Sequence, residues 1–392
     1  MHPALARDPV RRLAASRIRE VANAAMGAPD VLAFWFGEPD RPTPAFVVEA
    51  AKAALDAGDL FYLPNAGMPA LREALGGYVG RLHAPGGAPL DAGRIAVTSS
   101  GVSALMLASQ ALVSPGDRVV AVVPLWPNLT AIAAVLGARV DTVALSIDPA
   151  SGRWRLDVDR LLAALTPDTR MLMINSPGNP TGWTMPADAQ RAVLEHCRRH
   201  GIWVLSDEAY ERLTMDGDCA PSFLDHADPA DRLVVANTFS KTWQMTGWRL
   251  GWLVLPETLA PDVEKLVEFN TSCAPGFVQR AGLAAVREGE AAAREFAGYV
   301  RDGTRALLAA LADVPRVTPV IPDGAMYVLL RVDGEPDSLA LAKALVRDAR
   351  LGLAPGIAFG PECEGFLRWC VARPASVLQD GAARLAGFLA RR

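Results

Sequence analysis

The sequence predicts an α/β protein, and three observations support this class. From Arg94 onward, short apolar runs typical of buried strands alternate with helical stretches, as in successive βα units. Several of these runs end in turns of small or polar residues, the place where α/β sheets bind ligands. The length of 392 residues exceeds what one small core requires and predicts two domains.

The composition argues against several classes of protein. Charge is nearly balanced, with 39 basic and 43 acidic residues, and the absence of a long basic run argues against a nucleic-acid surface. The longest apolar stretches, such as 101–113, are too short to cross a membrane. The five cysteines form no Cys-x-x-Cys pair and no signal peptide is recognisable, so we expect reduced thiols in a cytoplasmic protein.

The N-terminal segment is predicted to contain two helices separated by a fixed loop. Residues 9–26 carry a loose helical stripe. Three prolines exclude regular structure from 37–44, and a second helix is expected over 44–57. By its spacing alone, Tyr62 would be an aromatic core residue.

An anion site is predicted where the strand 95–98 ends. A turn of small residues, 99–103, leads from this strand into a helix that we expect from Ala104. Backbone N–H groups and the dipole at a helix N-terminus favour a bound anion. A serine that only caps the helix produces the same pattern, so the turn alone does not decide between the two.

Aromatic and amide side chains follow the next strands of the pattern. Trp126 stands between two prolines just after the strand 118–123, where its ring could stack on a planar ligand or fill a core. Asn179 belongs to the turn 175–182 at the end of a later strand. An Asn-Pro dipeptide by itself predicts only a turn.

The most informative strand, 201–206, delivers Asp207 to its C-terminal end, with Tyr210 three residues later. A carboxylate in this position can keep a pyridine nitrogen protonated, so that the ring accepts the electrons of a carbanion. The helix before this strand carries His196 and His200 at a spacing that metal ligands use. No glutamate follows His196, so we expect a solvated helix face and no metal site.

One lysine stands out in the apolar and aromatic stretch 237–252. Lys241 and Arg249 lie within it, although both side-chain types are rarely buried without partners. A lysine in an apolar pocket beside another cation has a lowered pKa and becomes an amine nucleophile for Schiff-base chemistry. Ser240 and Arg249 are groups that bind phosphate well. A solvated lysine at a strand end is the alternative, and the length of the motif argues against it.

Arg368 lies inside the apolar strand predicted over 365–372. A guanidinium buried in this way requires an anion, and its planar fork suits bidentate capture of a carboxylate. An internal Asp or Glu partner would satisfy it as well.

Several ordered motifs resemble those of the class I/II aminotransferases, aspartate-aminotransferase-like enzymes of fold type I that use pyridoxal 5'-phosphate (PLP). The motifs begin at Gly37 (Gly-Glu-Pro-Asp-x-Pro-Thr-Pro), Asn175 (Asn-Ser-Pro-Gly-Asn-Pro-Thr-Gly), Asp207 (Asp-Glu-x-Tyr) and Ser240 (Ser-Lys-Thr-x-x-Met-Thr-Gly-Trp-Arg). The resemblance implies a large PLP-binding domain, 45–284, with a mostly parallel seven-stranded sheet. It also implies a smaller α+β domain made of 1–44 and 285–392.

The resemblance also implies roles around the cofactor. Lys241 would carry PLP as a Schiff base and act with Asp207 and Tyr210 in catalysis. Trp126 would stack on the ring, while Asn179 and Tyr210 would bind its 3'-oxygen. The phosphate contacts would come from Ser100, Gly101, Val102, Ser240, Arg249 and, from the neighbouring subunit of a homodimer, Tyr62.

The implied reaction moves an amino group between an L-amino acid and a 2-oxo acid in a ping-pong cycle. Gly37, Asn179 and Arg368 would hold the substrate carboxylate. Alternatives on the same fold are a C–S lyase, a decarboxylase, an oxidase, or a non-catalytic PLP-binding sensor. A nicotinamide dehydrogenase is disfavoured because no Gly-x-Gly-x-x-Gly follows the first strand.

The identity of the substrate side chain stays open at this point. Phe34, Trp35, Leu125 and Trp126 would favour an apolar or aromatic side chain. Arg41 would instead favour an acidic one.

Overall fold

The structure is a computed structural model that describes residues 5–392. The α-helices of this part of the chain are α1 (Asp8–Arg11), α2 (Arg17–Asn23), α3 (Ala45–Asp56), α4 (Pro69–His83), α5 (Gly101–Leu112), α6 (Asn128–Val135), α7 (Val158–Ala164), α8 (Ala187–His200), α9 (Phe239–Thr242), α10 (Ala260–Thr271), α11 (Gly276–Glu288), α12 (Glu290–Leu311), α13 (Ser338–Ala349) and α14 (Ala375–Leu389).

The strands alternate with helices through the first two thirds of the chain. They are β1 (Leu32–Ala33), β2 (Ile95–Thr98), β3 (Arg118–Val123), β4 (Arg139–Ala144), β5 (Ser146–Asp148), β6 (Arg153–Arg155), β7 (Thr169–Asn175), β8 (Trp203–Asp207), β9 (Leu233–Thr238), β10 (Gly251–Val254), β11 (Val317–Pro319), β12 (Tyr327–Val332), β13 (Leu351–Gly352), β14 (Ala354–Pro355) and β15 (Phe366–Cys370).

Seven strands form the central sheet in the order β2-β10-β9-β8-β7-β3-β4. Its neighbouring pairs are parallel, except for the two antiparallel pairs that β10 makes with β2 and β9. The predictions of an α/β protein and of a mostly parallel seven-stranded sheet are therefore confirmed. Parallel sheets need helices on both faces, and the alternating order of elements supplies them.

Both faces of this sheet are buried, as the side chains of β3 show. Val120 and Val122 belong to one hydrophobic cluster, whereas Val119 and Ala121 belong to a second cluster on the opposite face. Successive side chains of a strand point to opposite faces. The continuous apolar sequence of β3 is therefore explained by helices packing against both sides.

The carboxyl ends of three central strands coincide. Asn175 at the end of β7 is paired with Asp207 at the end of β8, and Asp207 is paired with Ala236 in β9. β9 continues to Thr238, and the short helix α9 that follows carries Lys241. Polar groups from three consecutive parallel strands therefore meet at one edge of the sheet, where α/β proteins bind ligands.

A second sheet, antiparallel and four-stranded, has the order β11-β12-β15-β14. Arg368 lies in its strand β15, paired with Leu329 on one side and Ala354 on the other. The N-terminal segment joins the C-terminal third of the chain through β1, where Leu32 pairs with Leu351. The loop after β1 is thereby held near Arg368.

The prediction of one helix over 9–26 is wrong, because the structure has two short helices there, α1 and α2. Ser16 starts the second one, since its side chain accepts a hydrogen bond from the backbone N–H of Arg19. This is the capping interaction that favours a new helix start. Within residues 5–392, no helix is both long and apolar enough to cross a membrane.

Candidate active site

A pocket of about 590 Å³ opens at the carboxyl edge of the central sheet. Most of the residues that the sequence motifs single out line this one pocket, although they come from distant parts of the chain. They are Gly37, Gly101, Val102, Trp126, Asn179, Asp207, Tyr210, Ser240, Lys241, Arg249 and Arg368.

Lys241 is held at the centre of the pocket by a neighbouring loop. Its Nζ donates a hydrogen bond to the carbonyl oxygen of Gly37 at 2.7 Å. Burial lowers the pKa of Lys241 to about 8, and the positive charges of Arg368 and Arg249 act in the same direction. The nearby Cys370 and Glu38 oppose this shift. The amine is thus deprotonated much more readily than that of an ordinary lysine.

Asp207 is buried at the end of β8. Burial raises the pKa of this carboxyl to about 6, against the backbone N–H of Ala209 and the charge of Lys241, which lower it. The carboxylate accepts from that N–H at 3.2 Å. A cation placed against Asp207 would restore its ionised form, since an opposite charge favours ionisation.

Asn175 fixes the turn that presents Asn179. Its amide nitrogen donates to the backbone carbonyl of Asp207 at 3.0 Å, and its amide oxygen accepts from the backbone N–H of Asn179 at 2.8 Å. Both asparagines are buried. The Asn175 side chain therefore anchors the turn to the neighbouring strand.

Arg368 is 2% exposed and lacks a carboxylate partner among residues 5–392. Its guanidinium donates to the side-chain oxygen of Asn179 at 2.8 Å and to the carbonyl of Trp35. The same group stacks over the rings of Tyr327 and Phe359, with Cζ 4.3 Å and 4.8 Å from the ring centroids. Within the described part of the chain, its Nε has no hydrogen-bond acceptor. A buried guanidinium with a free donor is suited to receive an anionic ligand.

Tyr327 is a pocket residue that the sequence reasoning missed. Its hydroxyl and that of Tyr210 are hydrogen-bonded at 2.7 Å. Burial raises the pKa of Tyr327 to about 12 and that of Tyr210 well above its usual value. A Cβ placed at Gly37 would lie 1.8 Å from the Tyr327 hydroxyl oxygen. Glycine is therefore required at 37 for the loop to pass this tyrosine.

The turn before α5 has the features of a phosphate site. Ser100 caps α5, its Oγ accepting from the N–H of Ser103 at 3.1 Å, and its φ of 138° is unusual for a residue other than glycine. The helix itself begins at Gly101, three residues before the predicted start. Ser240 lies on the same side of the pocket, where its Oγ accepts from the hydroxyl of Thr238 at 2.9 Å.

Arg249, Trp126 and Tyr62 occupy less enclosed positions. Arg249 is exposed at the pocket rim and donates to the carbonyl of Thr246 at 2.6 Å. Trp126 is half-buried and contributes to the pocket wall. Tyr62 is 88% exposed, so the core position suggested by its spacing alone is wrong. Its side chain is available to a second molecule rather than to this pocket.

Only some of the residues considered as contacts for the substrate side chain lie in the pocket. Trp35 and Trp126 line the pocket, whereas Phe34 and Leu125 are buried elsewhere in the core. Arg41 is engaged outside it, with Nη1 2.8 Å from a carboxylate oxygen of Glu295. Arg41 is therefore already paired with an acid of this chain.

Comparison with known proteins identifies the family. The model for aminotransferases of class I and II matches residues 29–385. The chain belongs to this family. It is therefore a PLP-dependent aminotransferase. Its fold is that of the fold type I enzymes.

Relatives with several different substrates in their names resemble this aminotransferase to a similar degree. An aspartate aminotransferase of Pyrococcus horikoshii is 32% identical over 90% of this chain and 89% of its own length. An arginine–pyruvate transaminase of Pseudomonas aeruginosa is 33% identical over 91% and 89%. The solved structure of a Thermus thermophilus aspartate aminotransferase has a TM-score of 0.89 and 30% identity, covering 98% of this chain and 100% of that one.

The pocket of this aminotransferase fits PLP. The uncompensated Asp207 and the capped N-terminus of α5 suit the pyridinium and the phosphate of PLP, and the free Nε of Arg368 remains for the carboxylate of an amino acid. The lowered pKa of Lys241 suits Schiff-base formation. When bound, PLP supplies a carbonyl carbon for that bond and a ring that accepts an electron pair from the substrate.

Proposed function

We propose that Lys241 both attaches the cofactor and moves the proton during transamination. The observation that supports this most directly is a half-buried lysine with a pKa near 8, in one pocket with Asp207 and Arg368. A free amine of this pKa is well poised to take a proton from the substrate Cα near neutral pH. Its contact with the Gly37 carbonyl keeps Nζ inside the pocket.

We propose that Asp207 holds the proton of the cofactor's ring nitrogen, while Tyr210 and Asn179 hold the 3'-oxygen. Tyr210 is kept in place by Tyr327 and Asn179 by Asn175. Trp126 would cover one face of the ring. The phosphate would be bound by the residues at the α5 end of the pocket and at its rim: Ser100, Gly101, Val102, Ser240 and Arg249.

We propose that the substrate carboxylate is bound by Arg368, assisted by Gly37 and Asn179. The guanidinium is fixed by Asn179 and by stacking, so little of its freedom is lost on binding. Its free Nε gains an acceptor only when the ligand arrives. The amino donor would be an L-amino acid and the amino acceptor a 2-oxo acid.

We propose a cytoplasmic homodimer in which Tyr62 reaches the phosphate of the neighbouring subunit. Leu60, Phe61 and Tyr62 are consecutive and 63%, 83% and 88% exposed, an apolar patch of the kind that marks protein interfaces. The five cysteines are free thiols, as expected for the cytoplasm. Sedimentation equilibrium would measure the subunit number, and Tyr62→Ala should weaken PLP binding.

We propose that the division into domains follows the two sheets. The strands of the large sheet lie between Ile95 and Val254, inside the proposed domain 45–284. The four-stranded sheet lies between Val317 and Cys370, inside 285–392, and β1 of the segment 1–44 joins β13.

The function is tested with Lys241→Ala and a matched control, Lys265→Ala, which removes an exposed lysine. With PLP added, Lys241→Ala should lack the visible absorbance of the Schiff base and lose about 10²–10⁴-fold in kcat. A panel of amino donors should yield more than one equivalent of 2-oxo acid per active site only when an acceptor oxo acid is present. Continuous formation of oxo acid without an acceptor would indicate a lyase or an oxidase instead.

A further inference from the structure

A second polar cluster lies apart from the pocket, at the end of α4. His83 is 5% exposed and Glu211 is 3% exposed. Cys219 is half-buried and, like Glu211, lies in the loop after β8. The ligand atoms of these three side chains all lie within 4.8 Å of one another. None of the three lines the active-site pocket, and the transamination chemistry does not use them.

The imidazole of His83 is oriented as metal-bound histidines are. Its Nδ1 lies 3.0 Å from a carboxylate oxygen of Asp225, whose other oxygen accepts from the backbone N–H of Ser222 at 2.9 Å. A carboxylate on one ring nitrogen fixes the ring and leaves the other nitrogen for the metal. Here that other nitrogen, Nε2, faces Cys219 and Glu211.

Two distances from Nε2 match the edges of a zinc coordination tetrahedron. Nε2 lies 3.6 Å from the Cys219 sulfur and 3.5 Å from a Glu211 oxygen. Usual zinc bond lengths at a tetrahedral angle give about 3.6 Å between nitrogen and sulfur and about 3.4 Å between nitrogen and oxygen. The second Glu211 oxygen accepts from the Tyr78 hydroxyl at 3.1 Å, which orients the carboxylate.

The charges around the cluster are compatible with a bound divalent cation. Arg212 approaches the Tyr78 hydroxyl at 3.4 Å but is already paired with Glu290 at 2.6 Å. A neutral imidazole, a thiolate and a carboxylate together carry two negative charges, which a divalent ion would neutralise. Zinc accepts imidazole nitrogen, thiolate sulfur and carboxylate oxygen as ligands.

We propose that His83, Glu211 and Cys219 form a zinc site that ties the end of α4 to the loop after β8. Nε2, one carboxylate oxygen and the thiolate are the three protein ligands. Water reaching the half-buried Cys219 side supplies the fourth. On binding, the thiol proton and any proton on Nε2 are released to solvent. Without metal, the same contacts hold an imidazolium between two carboxylates.

Metal binding to the PLP-loaded enzyme tests the site without any measure of activity. The matched variants are Cys219→Ser and Cys273→Ser, because both cysteines are half-buried and only Cys219 faces a histidine. After chelator treatment and equilibration with Zn²⁺, elemental analysis should find one zinc per chain in the wild type and in Cys273→Ser. Cys219→Ser should bind zinc at least about tenfold more weakly.

Cobalt distinguishes this site from adventitious binding. Co²⁺ should give a thiolate-to-cobalt absorption band in the wild type and in Cys273→Ser but not in Cys219→Ser. Asp225→Asn should keep the band and weaken metal affinity about 10–100-fold. Circular dichroism checks that each variant is folded. The proposal is overturned if Co²⁺ binds without the thiolate band, or if Cys219→Ser retains as much zinc as Cys273→Ser.

Discussion

Tyr210 and Glu211 are consecutive in the chain, yet they face two different buried polar clusters. Tyr210 points into the active-site pocket and meets Tyr327. Glu211 points the other way and meets Tyr78 and His83. The loop after β8 therefore contributes to both clusters at once. Comparing the clusters separates buried groups that lack a protein partner from buried groups that contact one another even without a bound metal.

In the pocket, the protein itself does not offset the cost of burying polar and charged groups. Burial lowers the pKa of Lys241 and raises that of Asp207, and Arg368 keeps a donor without an acceptor. In the second cluster the groups are paired: although burial alone lowers it, the pKa of His83 is raised above its ordinary value by Asp225, Cys219 and Glu211. Unpaired buried groups are costly, so their concentration in one pocket indicates a bound partner.

Substituting Arg368 of the pocket and Arg212, which lies beside the second cluster, gives the largest expected contrast. Arg368→Ala should raise KM for the amino donor about 30-fold or more, because truncating a buried partner of a charged ligand costs about 2–5 kcal/mol. Arg212→Ala should leave KM unchanged but destabilise the fold by about 2 kcal/mol, since it breaks the contact with Glu290. Steady-state kinetics and urea unfolding measure the two effects. If Arg368→Ala lost much stability but kept its KM, Arg368 would be a structural residue like Arg212 and not a substrate-binding one.

The contact between Gly37 and Tyr327 gives the next largest effect. Gly37→Ala places a Cβ 1.8 Å from the tyrosine hydroxyl oxygen but 2.9 Å from ring carbon Cζ. Overpacking of this kind costs about 1–3 kcal/mol. Tyr327→Phe removes the hydroxyl, so the double variant should recover part of the activity and stability that Gly37→Ala loses. A double-mutant cycle measures the coupling, and additive effects would show that the loop relaxes independently of Tyr327.

The sequence predicted site residues best where a motif lies at the end of a strand. Asn179, Asp207 and Lys241 follow three neighbouring parallel strands, so their order alone brings them together. Tyr327 and Phe359 come from the C-terminal third, and strand periodicity does not specify how that part packs on the large sheet. His83 is far from Glu211 and Cys219 in sequence, and the three share no metal-ligand spacing, so only the folded chain brings them together.

The smallest expected effect is a pH dependence of stability in the PLP-free enzyme. The folded-state pKa of Lys241, about 8, lies below the ordinary value of 10.5, so the unfolded chain binds more protons at this group between those pH values. Its contribution to the free energy of unfolding therefore rises as pH increases from about 8 to 10.5. Relative to Lys241→Met, the wild type should gain about 1–3 kcal/mol across this interval.

Asp207 provides the opposite sign for the same measurement. Its folded-state pKa of about 6 lies above the ordinary 3.8, so the folded chain binds more protons between those values and stability is lost as pH rises through them. Asp207→Asn should remove that loss. Taken together, the two groups should give the free energy of unfolding of the PLP-free protein a minimum between about pH 6 and 8. Urea unfolding between pH 4 and 10 measures it.

PLP would engage both side chains, so adding it should stabilise the wild type most within that pH interval. If PLP stabilised Lys241→Met and Asp207→Asn as much as the wild type, the assignment of both residues would be contradicted.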